Sequence, residues 1–141
     1  MAKVGSRAGW NSNYIESISA AKTLYNSDSG KVFLITAPSA IYTITLPSAS
    51  AAGAGFSSKF LVNCALDGTL GYDVTFSDGN DDIMVTHYVD GDNDVVYDAD
   101  ADSIAFDSTA VKGDQLEFIS TGTYWFAKRI SGVNRGFVVT D

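Results

Sequence analysis

A single cysteine, Cys64, stands in 141 residues, which excludes an internal disulfide and any cage of several thiolates around a metal. Histidine is as scarce. His87 has no second imidazole to share a zinc ion with, and a Ser-His-Asp triad would have to use this one residue as its base. Nowhere do about 18 apolar residues run together, so no membrane-spanning helix is expected. Nine basic residues face seventeen acidic ones, for a net charge of −8 and a pI near 4.3. Between Asp67 and Glu117 the only lysine or arginine is Lys112, while Lys3 and Arg7 stand near one end and Lys128, Arg129 and Arg135 near the other. Such a chain lacks the basic stripe that displaces counterions from phosphates, so neither a nucleic acid nor an anionic membrane surface is an expected partner. The opening run Met1 to Arg7 has charge but no apolar stretch behind it, so no cleaved export signal is expected.

What remains is ample for a folded body. Hydrophobic residues make up 45%, aromatics 12% and charged residues only 18%, a balance unlike that of a disordered chain. The length suits one domain, which at this size removes roughly 68–70% of its unfolded surface from water. The run Lys59 to Ala65 reads as a buried strand, and Cys64 within it as a small core residue.

Residues 1–13 mix glycine, serine and asparagine around isolated Val4 and Trp10, without periodicity. They read as an extended N-terminal arm, with a merely disordered terminus as the alternative. Residues 14–24 suit either a short helix or a short strand. From Lys31 onward the pattern is β. Tyr42, Ile44 and Leu46 alternate with Thr43 and Thr45, the period of two that a half-buried strand requires, and Pro47 closes the run. Ser48 to Gly55 reads as a small-residue loop. Further strands are expected at 56–65, 72–76, 83–89, 95–97, 103–106, 115–120, 123–130 and 136–140, with Asp-Gly, Gly-Asn and Gly-Asp turns between several of them. Gln115 to Ser120 and Thr123 to Ile130 read as two arms of one hairpin linked through Thr121-Gly122. Strands at this spacing without intervening helices predict an all-β fold, a mainly antiparallel sandwich or barrel of jelly-roll-like or tulip-like form. It spans residues 14–141 as a single domain behind the arm, with no internal repeat strong enough to indicate a propeller or solenoid.

Candidate chemistry is thin. His87 lies in a strand-like run, and no Gly-x-Ser-x-Gly elbow supplies a nucleophile beside it. The runs Asp90 to Asp94 and Asp98 to Asp102 place carboxylates at alternate positions, as calcium loops do. Counting from Asp90 puts Val95 and Ala101 where a helix–loop–helix site needs Gly and Glu, and counting from Asp98 puts Ser103 and Thr109 there. Turn-forming, solubilising aspartate is the plainer reading, with an irregular calcium loop as the alternative. In Tyr124-Trp125-Phe126, alternation sends Tyr124 and Phe126 one way and Trp125 the other, so at least one face belongs to the core. No catalytic residue, metal or cofactor is expected, and the chain does not read as an enzyme.

Three stretches in order, Thr23 to Phe33, Ile44 to Pro47 and Gly113 to Trp125, resemble small structural proteins of tailed bacteriophages, above all capsid decoration (cement) proteins and related tail-fibre modules. The resemblance implies a β knob, often trimeric, on the outside of a virion, made in the host cytoplasm and bound to the major capsid protein. On that reading Lys3, Arg7 and Trp10 of the arm are the partner-binding residues, an aromatic anchor flanked by positioning charges. A tail-fibre or receptor-binding module recognising host glycans is the alternative it leaves open.

Overall fold

The computed structural model describes residues 14–36, 38–64, 66, 74–80, 83–89, 94–130 and 137–140, with the backbone alone at 86–89 and 94–98. The arm proposed at 1–13 lies outside them. The first six strands are β1 (Ile15–Ile18), β2 (Lys22–Thr23), β3 (Val32–Ile35), β4 (Tyr42–Thr45), β5 (Ala54–Val62) and β6 (Val74–Ser77). The other six are β7 (Ile83–Val89), β8 (Asp94–Ala101), β9 (Ser103–Phe106), β10 (Gln115–Thr121), β11 (Trp125–Ile130) and β12 (Phe137–Thr140). The fold is all-β, and the ambiguous stretch before residue 25 is strand. The expected loop after Pro47 contains one helical turn, α1 (Ala49–Ala52). The Ser48 side chain accepts from the Ala51 amide at its start, and Gly53, at a φ of 74°, ends it. Serine at the cap and glycine beyond the end are what allow four residues to turn here. No described helix is long and apolar enough to cross a membrane.

A larger sheet runs β1-β3-β5-β10-β11-β7-β8 and a smaller one β12-β9-β6-β4-β2. The ladders are mixed, not mainly antiparallel: β1–β3, β3–β5, β11–β7, β2–β4 and β4–β6 are parallel, and the remaining five described pairs antiparallel. The reason is the path of the chain. From β1 to β6 it alternates between the sheets, so each strand returns beside the one two before it, pointing the same way. These are three turns of a coil. Ile15 aligns with Val32 and Val32 with Lys59 in the larger sheet, while Lys22 aligns with Ile44 and Ile44 with Phe76 in the smaller. Successive turns therefore differ in length by about ten residues, and a coil of unequal turns leaves no fixed sequence period.

The inward faces of the two sheets meet in one core. Phe33 and Phe60 stack with centroids 5.1 Å apart on the larger sheet, and Phe60 meets Phe76 of the smaller sheet edge-on at 4.6 Å. Phe118 closes on both Phe60 and Phe76. Register explains the layering: Glu16, Phe33, Phe60 and Leu116 form one inward row, and Lys22, Ile44, Phe76 and Ile104 another. At the first turn of the coil both rows end in a charge. Glu16 and Lys22 take the places held by phenylalanine and isoleucine one turn on, and they meet at 2.7 Å with the Lys22 ammonium 5.7 Å from the centre of the Phe33 ring. This polar pair closes the core at the exposed end of the stack, as capping repeats close a solenoid.

The closure continues into a network. Lys31 contacts Glu16 at 3.3 Å and the buried Asp28 at 2.7 Å, while Asp28 also accepts from the Tyr25 amide at 2.9 Å. The hydrogen bond from Lys22, outweighing desolvation, holds Glu16 below its ordinary value of 4.5. Burial alone raises Asp28, but the bonds from Lys31 and the Tyr25 amide overcome it and leave the group below 3.8. Asp28 in turn raises Lys31 above 10.5. The two carboxylates contribute stability that is present above their unfolded values and lost as pH falls through the lower folded ones. Lys31 contributes below its unfolded value and loses that contribution as pH rises through the folded one. Thermal unfolding followed from pH 7 to pH 2 is expected to show a falling midpoint below about pH 4. Asp28→Asn should lower the midpoint at pH 7 and make the acid slope shallower. An unchanged slope in that variant would remove Asp28 from the account.

Candidate binding face

Alternation along β10 and β11 decides which side chains leave the core. Leu116, Phe118, Ser120, Trp125 and Ala127 point inward and are buried. Ile119, Phe126, Lys128 and Ile130 point outward from the larger sheet. Ile119, Phe126 and Ile130 are 42–44% exposed. Cross-strand register puts Ile119 beside Phe126, and Phe126 beside Met84 of β7. The next row sets Lys59, Glu117 and Lys128 side by side, and the row after it aligns Leu34, Leu61, Gln115 and Ile130. The outer face thus carries two mainly apolar rows, the second interrupted by Gln115, with a charged row between them. Lys59 lies 3.7 Å from Glu117, and Lys128 has no ion pair among the described residues. Exposed aromatic and aliphatic side chains interspersed with a few charges are a common make-up of protein interfaces.

The three stretches behind the phage resemblance serve the fold. Asp28, in the first, binds the Tyr25 amide and Lys31. Pro47 ends the second, and its carbonyl accepts the indole N–H of Trp125, the last residue of the third, at 3.0 Å. Gly113 adopts a φ of 105°, which only glycine takes without strain. The neighbouring Asp114, itself buried, closes that turn by accepting from the Val111 amide at 2.9 Å. The Ser120 hydroxyl donates to the Ala49 carbonyl at 3.1 Å, tying β10 to α1. Arg129 lies 4.6 Å from the Phe137 ring centre, where burial lowers its pKa while Asp114 and Asp107 act in the opposite sense.

Of the residues singled out from sequence, Lys3, Arg7 and Trp10 lie outside the described residues, as do Asp90, Gly91, Asp92 and Asn93. His87 is in β7 opposite Val96, within a strand as expected, its side chain outside the description. Asp94 and Asp98 are described in backbone only, on β8, and Asp100 is exposed on the same strand. Asp102 is exposed between β8 and β9. Among the described residues no group of three or more His, Cys, Asp or Glu side chains is arranged to hold a metal ion. Cys64 is half-buried against the core, its thiol 3.6 Å from the Ile35 carbonyl. The aromatic triplet divides as alternation requires, with Trp125 fully buried and Tyr124 and Phe126 exposed. Sequence reading missed the outer face as a unit. Its signal was the Phe126-x-Lys128-x-Ile130 alternation, but three strands distant in sequence had to align before it became a surface.

No protein-family model matches the chain, and no curated protein matches it.

Proposed function

We propose that this chain is a non-enzymatic structural protein of a virion, decorating a tailed-phage capsid by binding its major capsid protein lattice. The observation that carries the reading is the outer face of the larger sheet, where Ile119, Phe126 and Ile130 stand exposed beside Lys59, Glu117 and Lys128. Aromatic and aliphatic anchors among a few charges suit a protein partner, since apolar burial supplies affinity and the charges set orientation. The net charge of −8 disfavours nucleic acid as the partner. On this reading the two sheets form a sandwich, residues 1–13 form an arm in which Lys3, Arg7 and Trp10 add contacts, and the protein sits as a trimer on the capsid exterior. Binding only the assembled shell would stabilise it by mass action.

The test uses empty capsids of the virus whose genome encodes the chain, with occupancy measured by sedimentation. Phe126→Asp, on the outer face and away from the core, is expected to weaken binding by roughly 30-fold or more, the scale of a hot-spot anchor. Its thermal midpoint should remain near that of the parent. Deleting residues 1–13 should weaken occupancy further. Binding indifferent to both changes would overturn the reading, and sedimentation equilibrium of the free protein tests the trimer.

A further inference from the structure

A hollow of about 190 Å³ opens on the larger sheet near the start of β3, with Lys59 and Glu117 of the charged outer row in its wall. It forms where side-chain bulk drops out of the face. Gly30 has no side chain, and a Cβ placed there would meet nothing within 4 Å. Its amide donates to the Ser57 carbonyl at 2.7 Å, which sets a second small residue beside it. Tyr14, Val32, Lys59 and Glu117 stand around this floor. Ser57 is half-buried on the outward side of β5, between the buried Phe56 and Ser58. The Lys59 ammonium and the Glu117 carboxylate lie 3.7 Å apart, too far for a direct hydrogen bond, so each keeps capacity for a third party.

We propose that this hollow is a subsite for one pyranose ring of a neutral carbohydrate, held through a vicinal diol. An ammonium group only donates and a carboxylate only accepts, whereas each sugar hydroxyl does both. Two adjacent hydroxyls therefore satisfy the pair at once, one accepting from Lys59 and the other donating to Glu117. Ser57 serves a third hydroxyl from the floor. Tyr14 offers an aromatic body with a polar tip, suited to the C–H face of the ring. Charge selects the class: Lys31, also in the lining, is already paired with Asp28 and Glu16, so an anion such as phosphate is opposed by Glu117 and a cation by Lys59. The hollow has the size of a single ring, and a site this open binds weakly.

Lys59 and Glu117 also stand in the outer face proposed to meet the capsid, but the experiment uses the free chain, so its outcome is read separately from the capsid reading. The full chain, labelled with nitrogen-15, is titrated with methyl α-D-glucopyranoside, methyl α-D-galactopyranoside and methyl α-D-mannopyranoside. Adenosine, whose ribose also carries a vicinal diol, forms a further arm. At least one glycoside is expected to give saturable amide shifts centred on Gly30, Ser57 and Lys59, with Kd in the range of about 1–10 mM. Ser57→Val, which fills the hollow and removes its hydroxyl, and Glu117→Ala should each weaken that binding roughly tenfold or more. Unchanged shifts elsewhere in the spectrum would show that both variants are folded. No saturable shift with any glycoside up to about 100 mM, binding that survives Ser57→Val, or saturation by adenosine alone would each overturn the assignment.

Discussion

Replacing Phe60 with alanine is expected to lower the free energy of unfolding by about 3–5 kcal/mol, the usual cost of removing a buried aromatic. The ring sits at a junction. It is fully buried on β5, stacks on Phe33 of the preceding coil turn, and meets Phe76 of the smaller sheet and Phe118 of the antiparallel neighbour β10. Its loss opens space at the point where parallel coil, antiparallel hairpin and opposing sheet meet. Those backbones are fixed by their ladders and cannot collapse into the gap. Native domains hold only about 5–15 kcal/mol in reserve, so the variant should unfold at much lower urea with a similar slope. Ile119→Ala, on the outer face, serves as the comparison and should cost well under half as much. Similar losses at both positions would mean that the core does not converge on Phe60.

Trp125→Ala is expected to cost as much, about 3–5 kcal/mol, with a different signature. Trp125 is fully buried, meets Phe56 edge-on at 5.3 Å and Phe118 at 6.2 Å, and donates its indole N–H to the Pro47 carbonyl. The residue thus fills volume and also ties β11 to the connection between β4 and α1. Trp125→Phe separates the two roles, because it keeps an aromatic ring but abandons the carbonyl. Its expected cost is about 1–3 kcal/mol, the scale of an unmade buried hydrogen bond with some lost packing. Amide exchange at Ala51 and Ala52 should quicken in both variants, since α1 is held partly through that connection. Equal costs for Phe and Ala would show that the hydrogen bond, not the ring volume, dominates. A loss below about 1 kcal/mol in Trp125→Ala would contradict the tie altogether.

Much of the β character was legible because alternation is a local property. Tyr42, Ile44 and Leu46 are buried as their spacing predicts, and the hairpin of β10 and β11 forms around Gly122, whose φ of 88° suits glycine. The mainly antiparallel expectation departed from the structure for a physical reason. Two apolar runs separated by a loop pair either way, and the choice rests on whether the chain turns back beside its neighbour or crosses first to the opposite sheet. The short α1 was missed because its helical turn depends on the Ser48 cap and on the Ala49 carbonyl receiving Ser120 from far along the chain. Glu16 and Lys22 looked like ordinary surface charges. Only the register that places them above Phe33 and Ile44 reveals that they close the core.

The amino-acid order alone settled that this chain would build strands, where several would turn, and that its body would be acidic and without a disulfide. Those outcomes follow from side-chain period, from glycine and aspartate at the turns, and from composition. Tertiary structure decided which strands lie parallel and which alternate set of side chains is hidden. A period of two sorts residues onto two faces, but it does not say which face another sheet will cover. Phe126 and Phe118 are the same residue type on neighbouring strands; one is exposed and the other buried because the smaller sheet stands on only one side of them.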